Sequence, residues 1–323
     1  MSITGIAILL FSLFALVFVG RWVINALVVM ARYLGFKEFV VAFFTVSIGA
    51  VAPEFFVGIS AALQGVPEVS LGNVIGENLF LLTVTVALCT FFTAKGLAVN
   101  SKTVQGGIVF TTLAAILPLF LIINGELSRL DGFILLSCFG LFLFWLFSKK
   151  ERFMKIYRHD EPHLEEDVTR TTFLRSVAVA LGGVAVIVFA ADLLLGELLT
   201  FSEGMGIPLA ALGLFVVAIG TALPETYFAV NLARHGESWM VLGGIMGGVA
   251  LASTLVLGVV ALIHPISLTT ADVSTLVLAR IFLTIGALLL LIFVTTGHTI
   301  TKREGMALLA VYISFLLAEI VII

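Results

Sequence analysis

VSIGAVAPEFFVGISAALQGVPEVSLGNVIGENLF, residues 46–80, returns as VAIGTALPETYFAVNLARHGESWMVLGGIMGGVAL, residues 217–251, with no gap and at an offset of 171 residues. Gly49, Pro53, Glu54, Gly72 and Gly76 recur as Gly220, Pro224, Glu225, Gly243 and Gly247. Each copy sets a glutamate directly after a proline in an apolar run. A carboxylate at bilayer depth is costly to keep, so it marks a functional position. Two of them related by an internal repeat point to a membrane transporter whose site lies where the repeats meet.

The composition agrees. Of 323 residues, 61% are hydrophobic and 11% charged, against roughly 45–50% and 25% in a soluble domain. Too few polar residues remain to cover a water-soluble globule, so the chain reads as an all-α polytopic membrane protein. The formal net charge of −3 is uninformative about partners, and no basic stripe suggests nucleic acid. Cys89 and Cys138 both fall in apolar runs, which speaks against a disulfide framework or a thiolate metal site. The N-terminal stretch lacks a basic region and a small-residue cleavage site, and it reads as a first span rather than a removed signal.

A span needs about 20 mostly apolar residues. Ten stretches qualify: 4–31, 38–64, 69–94, 104–123, 130–148, 171–199, 207–233, 239–262, 273–295 and 306–322. Five precede the polar segment 149–170 and five follow it. Five is odd, so the second half (171–323) inserts upside down relative to the first (1–148), as two inverted five-helix repeats. Of the 17 Lys and Arg, only Arg129 then falls on one side, and Arg21 and Arg280 lie within spans. All the others share the opposite side, which the positive-inside rule makes cytoplasmic. The 149–170 linker is then cytoplasmic and both termini face outward, in a plasma or inner membrane. The linker carries His159 and His163 among carboxylates, but its main reading is a solvated connection.

Proline removes a backbone donor and crowds the preceding turn. Pro53 and Pro224, each four residues after a glycine (Gly49, Gly220), are expected to break their helices and free carbonyls near Glu54 and Glu225. Carboxylates plus freed carbonyls form a hard oxygen set suited to Ca²⁺. The glycines of the following helices, Gly72 and Gly76 against Gly243 and Gly247, allow close helix packing. Packing does not account for Asn73, Glu77 and Asn78, polar groups inside a span that need partners.

The pattern Gly-x-x-x-Pro-Glu followed by Gly-Asn-Val-Ile-Gly-x-Asn, repeated in inverted halves, resembles the calcium/cation antiporter superfamily, and most closely its prokaryotic sodium/calcium exchanger branch. Gly72–Gly76 (GNVIG) and Gly220–Glu225 (GTALPE) carry the likeness, with NGELSRLDGF at 124–133 and ADLLLGE at 191–197. The resemblance implies alternating access by sliding of the first and sixth helices. It also implies a midplane site where Glu54 and Glu225 bind Ca²⁺ or Na⁺, with Ser47, Asn73, Asn78 and Thr221 beside them. The transported ions are then the cargo, and no resident cofactor or enzymatic chemistry is expected.

The departures matter as well. Where the family carries Thr-Ser after the first Gly, this chain has Ala50 and Val51; a family serine is replaced by Glu77; a further ligand position is Leu81 in one copy and Ala252 in the other. The second copy reduces its polar motif to Gly244, Gly248 and Val249 while keeping Thr221. The site has lost neutral oxygens, which Na⁺ needs, and gained a carboxylate. Three clustered carboxylates repel one another and can take up and release protons; a divalent ion bound by Glu54, Glu77 and Glu225 relieves that repulsion. Three functions follow: a Ca²⁺ or divalent-cation antiporter driven by Na⁺, the same driven by H⁺, and a non-transporting ion-binding relative. Arg21, at the repeat position of Asp192 (21 + 171), has two readings: a substitute cation paired with a site carboxylate, or a side chain snorkelling to the headgroups.

Overall fold

The computed structural model describes residues 3–34, 49–93, 96–99, 102–148, 169–297 and 299–322. Ser47 and linker residues 149–168, with His159 and His163, lie outside the described residues.

The chain is a succession of helices: α1 (Ile3–Tyr33), α2 (Gly49–Leu63), α3 (Glu68–Phe92), α4 (Lys102–Leu121), α5 (Arg129–Ser148), α6 (Arg170–Met205), α7 (Leu209–Arg234), α8 (Ser238–Ile263), α9 (Thr270–Thr296) and α10 (Lys302–Ile322). Among the described residues seven of these, α1, α3, α4 and α6–α9, are long and apolar enough to cross a bilayer. Helices α2, α5 and α10 fall outside that set, so for these three the expected spans rest on the sequence alone. Helix ends follow local chemistry. Thr169 caps α6 by accepting from the Thr172 amide, and Gly206, at φ 67°, ends it in the left-handed conformation that glycine adopts freely. Thr269 and Asp272 form a reciprocal capping box on α9.

Among the described residues four two-residue strands join the helix ends in pairs. β1 (Leu97–Ala98) pairs antiparallel with β4 (Thr299–Ile300), and β2 (Glu126–Leu127) with β3 (Ile266–Ser267). The α3–α4 connection thus meets α9–α10, and α4–α5 meets α8–α9. Each pair joins one half of the chain to the other.

Two apolar clusters organise the interior. One joins α1 and α6, which lie along each other, to α2: Leu13, Leu16, Val57, Ile187 and Leu194 are buried there. The larger one fills the space among α3, α4, α5 and α7–α10. Lipid offers no hydrophobic drive for helix association, so close approach at small residues does that work. A Cβ on Gly72 or Gly76 of α3 would run into the backbone of Ala210 or Leu214 on α7, and one on Gly213 of α7 into Val69 on α3. The two helices touch backbone to backbone at these glycines.

The prolines do not break their helices. Pro224 lies inside the continuous helix Ala218–Arg234, and Pro53 is the fifth residue of the continuous helix Gly49–Leu63. A proline forfeits one donor, leaving the carbonyls of Gly220 and Gly49 without their usual amide. The remaining backbone groups have no water to turn to in lipid, so the helix closes around the defect. The irregular backbone lies elsewhere, in wide π turns at Leu81–Thr85 of α3, Gly213–Val217 of α7 and Ala252–Val256 of α8. The first and third stand 171 residues apart. In each, a threonine hydroxyl donates to a carbonyl one turn back, Thr83 to Leu79 and Thr254 to Ala250, and these pairs keep the same offset.

Candidate functional site

Side chains four residues apart share a helix face, which sets Asn73 beside Glu77 on α3 and Thr221 beside Glu225 on α7. The backbone contact at Gly72, Gly76 and Gly213 brings these faces together, and α2 supplies Glu54. The Glu54 carboxyl lies against the side chains of Glu77 and Thr221. Glu77 feels the charges of both Glu54 and Glu225, and Glu225 that of Glu54. Glu54 and Glu77 are 1% and 2% exposed, a depth at which carboxyl groups need compensation. Glu225 is half-buried.

Besides the Glu54 carboxyl, the single hydroxyl proton of Thr221 has three acceptors in reach: the carbonyls of Val217 at 3.1 Å and Ala218 at 3.2 Å, and Asn73 Oδ1 at 3.4 Å. Asn78 Nδ2 donates to Ser253 Oγ across 2.8 Å, joining α3 to α8. Thr85 and Thr226 share a 2.6 Å hydrogen bond between α3 and α7. Several buried atoms lack a protein partner among the described residues: Glu54 Oε2, Glu77 Oε2, Asn78 Oδ1 and Asn73 Nδ2. Each such atom costs about 1–3 kcal/mol unless something binds it, and for the three oxygens a cation is the matching ligand. Among the described residues no three Asp, Glu, His or Cys side chains converge closely enough to hold a metal ion by themselves. The carboxylates are therefore gathered without being closed into a cage, and an ion here draws on amide, hydroxyl and carbonyl oxygens too.

Of the residues expected from the sequence, Glu54, Glu77, Glu225, Asn73 and Thr221 come together, and Asn78 is tied to Ser253. Gly49 and Gly220 lie one turn before Pro53 and Pro224, which have no amide to offer their carbonyls. Arg21 is exposed on α1 and is not among the charges felt by the three carboxyls. Its repeat mate Asp192 accepts a hydrogen bond from Gln64 Nε2 at 2.8 Å, at the end of α2. Ser253 and Thr226 escaped the repeat comparison because their mates are Leu82 and Phe55 (253 − 171 and 226 − 171). The signal that would have found them is a hydroxyl residue inside an otherwise apolar helix.

The sequence matches the family model of the sodium/calcium exchanger protein over residues 4–148 and 175–321. It is 26% identical to the sodium/calcium exchanger MaX1 of Methanosarcina acetivorans over 347 aligned positions, covering 96% of each chain. Two solved structures share the fold: the sodium-calcium exchanger NCX_Mj, at 23% identity and a TM-score of 0.59 over 97% of both chains, and the H⁺/Ca²⁺ exchanger CAX, at 18% identity and a TM-score of 0.72 over 97% of this chain and 82% of that one.

Proposed function

The chain belongs to the sodium/calcium exchanger protein family, and from that premise we propose that it is a secondary antiporter moving Ca²⁺ or a related divalent cation against Na⁺. The observation that carries this reading is the cluster of Glu54, Glu77 and Glu225 drawn from three helices of both halves, with a carboxyl oxygen of Glu54 and one of Glu77 that have no protein partner among the described residues. The ion binds between Glu54 and Glu225, and Thr221, Asn73 and Asn78 contribute neutral groups. Support for ten spans in two inverted repeats comes from the paired strands, which require loops three–four and nine–ten to share one end and loops four–five and eight–nine the other. Ten alternating spans meet that requirement. The π turns at matching repeat positions support it too.

Glu77 favours a second reading, proton coupling. It adds a buried carboxyl next to Glu54 where a neutral oxygen would suit Na⁺, and a carboxylate can return empty by carrying a proton. The likeness to MaX1 and to CAX leaves both couplings open. The test is ⁴⁵Ca²⁺ uptake into proteoliposomes under an outward Na⁺ gradient and, separately, an outward H⁺ gradient. Uptake driven by Na⁺ supports the first reading and uptake driven only by H⁺ the second. No flux of any divalent cation under either gradient overturns both in favour of a non-transporting relative.

A further inference from the structure

Glu77 and Gly248 hold the same position in the two repeats, 171 residues apart. In the first repeat that position carries an acid beside Glu54. In the second it carries no side chain, and the space is taken by the carboxyl of Glu225. A Cβ built on Gly248 would stand 3.1 Å from Glu225 Oε1 and 3.9 Å from its Cδ and Oε2. The three nearest atoms to that Cβ all belong to Glu225, whereas at Gly72, Gly76 and Gly213 they include the backbone of the neighbouring helix. Gly248 therefore makes room for a carboxylate, and not for a helix.

Local propensity sharpens the point. Gly248 is buried in the regular part of α8 (Ser238–Leu251) and is not among the glycines with positive φ. Alanine fits such a backbone and favours a helix by about 1 kcal/mol over glycine. A glycine at a helical position that alanine would suit, with a glutamate carboxyl in the space its side chain would fill, points to a site constraint.

We propose that Gly248 is a specificity-determining position: its missing side chain is the seat that holds the Glu225 carboxyl against α8 and in reach of Glu54, so that one cation is shared between the repeats. A methyl group there lifts the carboxyl by a few tenths of an ångström, which the flexible end of a glutamate can absorb. The fold is kept and the ligand is misplaced. This inference rests on the antiport reading.

The test is Gly248→Ala, with Gly140→Ala on the exposed face of α5 as the control, each compared with the wild-type protein in proteoliposomes and by thermal melting in detergent with and without Ca²⁺. Gly248→Ala is expected to melt at or above the wild-type temperature without Ca²⁺, while its KM for Ca²⁺ rises about tenfold, the lower end of the cost of disturbing support for a metal-binding side chain. Maximal flux stays within about twofold, since every ligand is still present. Gly140→Ala changes neither KM nor maximal flux. An unchanged or lowered KM overturns the proposal. So does a Gly248→Ala protein that fails to fold, because the position would then serve packing. Wild-type protein with neither divalent flux nor a Ca²⁺-dependent melting shift overturns the antiport reading itself, and this inference with it; wild-type flux with an insensitive Gly248→Ala overturns this inference alone.

Discussion

Glu54 and Glu225 are repeat mates with different surroundings, yet their neutral isosteres are expected to fail in the same way. Glu54 is buried against a second acid, while Glu225 is half-buried and leans on Gly248. Replacing either by glutamine keeps the shape and removes the charge. Glu54→Gln and Glu225→Gln are expected to reduce divalent flux to background, because a cation bound by two carboxylates loses one of them, while circular dichroism and melting stay near wild type. Normal flux in either would refute the site. Glu77→Ser has a sharper expectation: it removes the third carboxyl and restores a neutral oxygen, so dependence on the H⁺ gradient should fall and dependence on Na⁺ should rise in the same vesicle assay. Glu54, Glu77, Glu225, Asn73 and Thr221 stood out in the sequence as candidates because a polar group in an apolar span has few structural uses. Ser253, Thr226 and the proposed seat at Gly248 did not, since a hydroxyl in a helix usually bonds its own backbone and a missing side chain leaves no signal until its neighbour is known.

The helices were legible from apolar length, but their irregularities were misplaced. Proline and glycine signal a break in water, where freed groups are solvated; in lipid the helix stays continuous through Pro224 and Pro53, and two of the three widened turns fall where a threonine supplies a replacement donor. The glycine pattern of α3 was read correctly as a packing surface, and it yields a prediction. Gly76→Val places its Cβ against the Leu214 carbonyl and the Ala218 methyl, and neither backbone can yield locally. A loss of about 3 kcal/mol is expected from such overpacking, seen as poor expression and a lowered melting temperature. Ser253→Ala is milder. It strips the acceptor from Asn78 Nδ2, and an interhelical hydrogen bond of this kind within a membrane is worth about 1 kcal/mol. A small drop in melting temperature is the expected reading, and a drop as large as that of Gly76→Val would show that the α3–α8 contact depends on this bond.

The two short sheets give the molecule a polarity that can be measured. β1 and β4 sit at one end with Gly96, Lys302 and Arg303 next to them in the chain; β2 and β3 sit at the other end with Arg129 and His264. Arg234 lies over the Phe92 ring at 4.3 Å, at the end of α3 that leads into β1. Basic residues crowd the β1–β4 end and are sparse at the other, so the tendency of positive charge to stay on the cytoplasmic side predicts that β1–β4 faces the inside of the cell. Glu126 and Lys302 are both exposed and stand at opposite ends. In a background lacking Cys89 and Cys138, a membrane-impermeant maleimide added to intact cells should label Glu126→Cys and spare Lys302→Cys, and inside-out vesicles should give the reverse. Labelling of both from one side would mean that the connections do not alternate as ten spans require, and the inverted relation between the halves would fall with it. Labelling with the sides exchanged would keep the repeats but turn the carrier over, so that the direction of net Ca²⁺ movement under a physiological gradient would have to be argued anew from the opposite face.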